Sequence, residues 1–146
     1  MIRDRLILLF EQKFGANSFT RGAIPSVLVS FPPAHIGVGE LKIFEYGNEL
    51  IVEIGKIAHH QFDNLNPDAT PEAAEQALAE QVAGFVEDVF ADKYIFWCSP
   101  QRDAGGLKHI DFFSENERSS FLDGDRIYFT WSGPLAPAPG KESCIP

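Results

Sequence analysis

The dipeptide Gly47-Asn48 stands between two runs that alternate apolar and polar residues, Leu41 to Tyr46 and Glu49 to Ile54. Glycine reaches the positive φ needed at the first central position of a type II′ turn, and a two-residue loop of this kind joins antiparallel strands. Folding about it sets Tyr46 opposite Glu49, Phe44 opposite Ile51 and Lys42 opposite Glu53 on one face. Glu45 with Leu50, Ile43 with Val52, and Leu41 with Ile54 share the other face, which is almost wholly apolar and belongs against a core. A slip of one residue would turn that apolar face to water and part Lys42 from Glu53, so the register is strongly specified. A chain with this hairpin is committed to an antiparallel sheet covered on at least one side.

What covers it is legible on either side of the hairpin. Ile2, Leu6, Leu9, Phe10 and Phe14 recur at helical spacing, with Asp4 near the start, Lys13 near the end and Gly15 as the stop. Thr70-Pro71 supplies an N-cap followed by proline at the first helical position, and Glu72 and Glu75 complement the helix start. The spacing predicts a helix from there to about Ala91, with Leu78, Val82, Phe85, Val86 and Val89 as its apolar stripe. Glu72, Gln76, Glu80, Ala83 and Glu87 fall on the opposite side, an outward face with no basic residue.

Further strands are expected at Ser26 to Phe31 (ended by Pro32-Pro33), Tyr94 to Cys98, Leu107 to Phe113 and Arg126 to Trp131, the last introduced by the turn Asp123-Gly124-Asp125. The polar stretch His59 to Asp68 reads as a connection. The expected fold is α+β, two helices packed on a mostly antiparallel sheet of about six strands in the order α-β-β-β-α-β-β-β. Residues 1–133 form a single domain and 134–146 a Pro-rich tail. No internal repeat is present.

With 146 residues, 45% of them hydrophobic and thirteen of them Phe, the chain has enough apolar surface for one well-filled core. A formal charge of −9 repels phosphate backbones and anionic lipid and attracts basic partners. Lys42, Lys56, Lys93, Arg102, Lys108, Arg118 and Arg126 are scattered among acids and form no stripe that nucleic acid would need. No apolar run reaches bilayer-spanning length, and the N-terminal run Leu6 to Phe10 is too short, and wrongly followed, for a signal peptide. Two cysteines, Cys98 and Cys144, read as free thiols of a cytoplasmic protein.

Chemical motifs are incomplete. His59, His60 and Asp63, with His109 and Asp111, are residue types that bind metals or move protons. Adjacent histidines on an extended chain point to opposite faces, however, and no zinc spacing occurs. His109 and Asp111 would share one strand face. Gly37-Val38-Gly39 lacks the third glycine and the following helix of a dinucleotide loop, and Asp123-Gly124-Asp125 lacks the ligand spacing of a calcium loop. Cys98 has no neighbouring histidine, and no G-x-S-x-G elbow occurs. Aromatic pairs around Trp97 and Trp131 could line a small-molecule cleft if one sheet face were uncovered.

The reading is a small acidic, non-enzymatic binding or inhibitory module that engages a basic protein through Glu72, Glu80 and Glu87, without cofactor or metal. The composition leaves homo-oligomers open. In size, acidity and lack of a catalytic motif the chain resembles the small immunity proteins of bacterial toxin systems, in general character and with no residues assigned. The alternatives are a metal-assisted or acid-base enzyme using His59 or His60, Asp63, His109 and Asp111, and a binder of small molecules on the aromatic strands.

Overall fold

The structure, a computed structural model, describes residues 2–22, 26–63, 66–99, 104–116 and 126–135. Helix α1 (Ile2–Phe14) leads into an antiparallel meander of β1 (Thr20–Arg21), β2 (Val27–Phe31), β3 (Leu41–Tyr46), β4 (Glu49–Ile54) and β5 (Ala58–Phe62). Helix α2 (Pro71–Phe90) follows, and then a second antiparallel sheet. It is built from β6 (Tyr94–Ser99), β7 (Ala104–His109), β8 (Ile127–Thr130) and β9 (Gly133–Pro134), in the order β7-β6-β8-β9.

The hairpin forms in the expected register at all six pairs from Leu41–Ile54 to Tyr46–Glu49. Gly47 takes φ +61° while Asn48 stays at negative φ, the combination of a type II′ turn. Leu41, Ile43, Leu50, Val52 and Ile54 are buried, whereas Lys42, Phe44, Ile51 and Glu53 on the other face are half-buried. The Lys42 ammonium lies 3.9 Å from Glu40, its nearer carboxylate.

Both helices also stand where their signals put them. Thr70 accepts a hydrogen bond from the Ala73 amide and Pro71 opens α2, so two of the otherwise unsatisfied problems of a helix start are met locally. The buried face of α2 is wider than its apolar stripe, because Ala79 and Ala83 are buried too. The reason is α1. Arg5 reaches Glu75 and Gln76, Lys13 reaches Glu87, and Phe14 meets Phe90, so the two helices lie side by side and run in the same direction. Small side chains at Ala79 and Ala83 suit such close packing.

Three expectations are corrected. One sheet of about six strands is instead two antiparallel sheets of five and four. The stretch from His59, expected as a connection, begins inside β5, which pairs with β4 from Leu50–Phe62 to Ile54–Ala58. Its side chains are mostly exposed, so no alternation announces it, and the strand exists because β4 offers a free edge. The strand expected over Leu107 to Phe113 stops at His109 and continues as a 3-10 turn, Ile110–Phe112. There His109 Nδ1 accepts a hydrogen bond from the Asp111 amide and competes with strand geometry. The order of elements changes accordingly, with the short strands β1 and β9 added.

The two sheets adjoin at Gly105 of β7, whose α-carbon faces the carbonyl of Ile57 just before β5. The core is continuous across them: Phe10 and Val86 of the two helices belong to one cluster with Phe31, Leu41, Val52, Phe96 and Phe129 of the two sheets. Cys98, on the core side of β6, is disulfide-bonded and not the free thiol expected. Disulfides persist in oxidising compartments, so cysteine usage does not support a reducing one. Cys144, the turn Asp123-Gly124-Asp125 and residues 136–146 of the tail lie outside the described residues. No helix is long and apolar enough to cross a membrane among the described residues.

Candidate functional site

At the turn end of the hairpin, four segments surround a cleft of about 410 Å³. Glu45, Gly47, Asn48, Glu49 and Leu50 come from the hairpin, Asp63 from the end of β5, Ile2 from the start of α1, and Pro71, Ala74, Glu75 and Leu78 from the first turns of α2. Each carboxylate arrives for a local reason. Glu45 and Glu49 flank the turn, Asp63 follows the last ladder pair of β5, and Glu75 lies one turn into the capped helix. Glu45 is also the one acid on the hairpin face that otherwise points into the core, so the apolar face ends in a charge.

Two of the four have partners. The Glu75 carboxylate lies 3.4 Å from Arg5 Nε, while Arg5 Nη1 donates to Gln76 Oε1 at 3.0 Å. Glu49 accepts a hydrogen bond from Gln61, a neutral group that orients the carboxylate without cancelling its charge. Among the described residues no basic side chain pairs with Glu45, Glu49 or Asp63. The α2 N-terminus contributes roughly half a positive charge, too little to offset the carboxylates that Arg5 leaves. The cleft therefore combines an aliphatic wall, from Ile2, Leu50 and Leu78, with a negative rim. This matches a side chain that has an apolar stem and a cationic head.

Glu72, Glu80 and Glu87 are all exposed, but their surroundings differ. Glu72 stands in the first turn of α2, beside the cleft residue Pro71. Glu80 accepts from Gln76 at 2.9 Å. Glu87 is bound to Lys13 at 2.7 Å, and this hydrogen bond and the ammonium charge hold its carboxyl below the ordinary value. The face without a basic residue of its own is thus partly neutralised by α1.

The candidate acid-base residues divide among three places. Asp63 is in the cleft. His59 lies on the outer face of the first sheet opposite Glu53. His60 faces the other way and stacks on Phe85, with centroids 5.2 Å apart, while Phe62 meets it edge-on at 4.7 Å. Phe85 then contacts Tyr94, and Tyr94 contacts His109. His60 and His109 are therefore linked through two intervening rings instead of sharing a substrate-sized space. Asp111, in the 3-10 turn, lies 3.6 Å from His109. Among the described residues no three His, Cys, Asp or Glu side chains gather as a metal ion would require. Of the two tryptophans, Trp131 packs on Phe90 in the core, and Trp97 lies half-buried over Gly106 beside Phe113 and Tyr128.

Burial, with a smaller push from neighbouring His59, holds the His60 imidazole below its ordinary value of 6.5. The unfolded chain then takes up a proton at higher pH than the folded one. The stability tied to neutral His60 is complete above the unfolded value and is lost as pH falls through the folded one. Denaturant midpoints measured from neutral to mildly acidic pH should decline more steeply for the native chain than for His60→Phe, which keeps the stack. Parallel profiles would show that His60 makes no such contribution.

Sequence reasoning missed Glu45, Glu49 and Glu75 as site residues. The available signal was Glu45, a carboxylate in a row of buried aliphatics. Comparison with known protein families, with characterised proteins and with solved structures returned no match.

Proposed function

We propose that this protein is a non-enzymatic binding or inhibitory module that engages a basic protein, with the contact centred on the carboxylate cleft. The cleft is the observation that carries the reading: Glu45, Glu49, Asp63 and Glu75 rim a space with an aliphatic wall. A lysine or arginine side chain fits both parts, its stem on Ile2, Leu50 and Leu78 and its head among the carboxylates. The chain-wide charge of −9 supports the same partner chemistry by steering cations toward the surface. Glu72 extends the rim along α2, and Glu80 and Glu87 lie farther along that helix. The general likeness to small toxin-immunity proteins agrees with such a role and adds no residue to it.

Titration with arginine amide, followed by amide NMR, tests the reading. Shifts are expected at Gly47, Asn48, Leu50 and Ala74, and should diminish with added salt. Glu45→Gln, Glu49→Gln and Asp63→Asn combined should weaken binding about tenfold, because each removes one charge contact of modest size. Charge reversal at Glu72, Glu80 and Glu87 should weaken it less. The reverse ranking would move the contact to the helix face, and unchanged binding in both sets would overturn the reading.

A further inference from the structure

We propose that the ring surface running from His60 past Phe85 and Tyr94 to His109 and Phe112 continues the cleft into one binding track, which takes an extended arginine-rich segment of the protein partner. The inference rests on the reading of the cleft as a cation site. It identifies a second contact and the form of the partner.

The track is continuous. Phe62 pairs with Leu50, a wall of the cleft, and Asp63 follows it directly. From Phe62 the rings pass to His60, Phe85, Tyr94, His109 and Phe112 in steps of 4.7 Å, 5.2 Å, 4.7 Å, 5.2 Å and 6.0 Å. Phe85 is buried and forms the floor, while His60 is exposed and Phe62 and Tyr94 are half-buried. Phe112 stands 70% exposed on the 3-10 turn that His109 caps. Phe112 is one of the large apolar side chains left exposed, and with the partly exposed rings beside it this is the kind of surface that marks a contact.

Charge indicates what lies on it. Asp63 is at one end, and Asp111, with its side chain 80% exposed, is at the other. The lysine beside the row, Lys93, is held by Asp88 at 3.5 Å. Partial burial, with His59 beside it, holds the His60 imidazole below its ordinary value, which disfavours a competing positive charge there. Aromatic faces among carboxylates suit guanidinium groups, which stack flat on rings and hydrogen-bond to acids at their edges. A lysine ammonium, compact and strongly hydrated, gains less from the rings. The steps along the row come to about 26 Å, which roughly eight residues would span at the rise of an extended chain.

Labelled hexa-arginine and hexa-lysine peptides are suitable probes, with affinity read by fluorescence anisotropy at near-physiological ionic strength. Hexa-arginine should bind more tightly. His60→Ala with Phe112→Ala should weaken hexa-arginine about tenfold and hexa-lysine only about twofold, since the pair removes rings without changing charge at neutral pH. Phe112→Ser alone, at a highly exposed position, should weaken hexa-arginine about threefold, and Phe112→Tyr should restore binding. Thermal unfolding of each variant confirms that it is folded. If the ring variants bind hexa-arginine as the native chain does while the combined Glu45→Gln, Glu49→Gln and Asp63→Asn variant loses it, the track is overturned and the cleft stands. If the ring variants alone weaken binding, the cleft reading falls, and the single continuous track falls with it. Absence of hexa-arginine binding to the native chain overturns the track outright.

Discussion

Gly105→Ala is expected to lower stability by about 3 kcal/mol, near the upper end of what overpacking by one methyl group costs. The added carbon would sit 2.1 Å from the carbonyl oxygen of Ile57 and 3.0 Å from that of Trp97. Both are backbone atoms, so neither can rotate aside, and relief requires the first sheet to move away from the second. Gly84→Ala is the matched control. Gly84 lies inside α2 with nothing within 4 Å of the added methyl, and alanine there should raise stability by about 0.5–1 kcal/mol through helix propensity. Urea unfolding of the two variants should therefore shift the midpoint in opposite directions. A neutral Gly105→Ala would mean that the sheets do not meet at that carbonyl.

Phe10→Ala should cost about 3–5 kcal/mol, the range for truncating a fully buried phenylalanine. Phe10 is 0% exposed and meets Phe14, Phe19 and Phe31 at centroid distances of 5.6 Å, 5.9 Å and 5.3 Å, so the cavity would open at the centre of the aromatic cluster. Phe10→Leu keeps most of the volume and should cost ~1.5 kcal/mol. Unfolding midpoints that rank the two variants otherwise would show that the site collapses freely. A loosened α1 also loses the placement of Ile2 on the cleft wall and of Arg5 against Glu75, so arginine amide binding to Phe10→Ala should weaken even where the chain is still folded.

Much of the local structure was legible because it is decided by neighbours in sequence. Gly47-Asn48 and its flanking alternation determined the hairpin register pair by pair. Thr70-Pro71 and the spacing of Leu78, Val82, Phe85 and Val89 placed α2, and the spacing from Ile2 to Phe14 placed α1. Capping, turn conformation and the two periodicities act over a few residues, so they leave a readable trace.

The site left almost none. Glu45, Glu49, Asp63 and Glu75 meet only because the meander returns β5 beside β4 and α2 then crosses the end of the hairpin. Arg5 and Lys13 are distant in sequence from the acids of α2, and the helix pairing that joins them is set by packing around Phe14, Phe90 and two buried alanines. His60 and His109 are related through Phe85 and Tyr94, rings from two other elements. The sequence by itself determined the antiparallel hairpin, the two helices and the excess of negative charge. Tertiary structure alone decided that there are two sheets, that the helix face is partly neutralised and that the carboxylates gather at the hairpin's end. Such contacts arise when one core closes around segments far apart in the chain, and no local pattern of residues specifies which distant side chains that closure brings together.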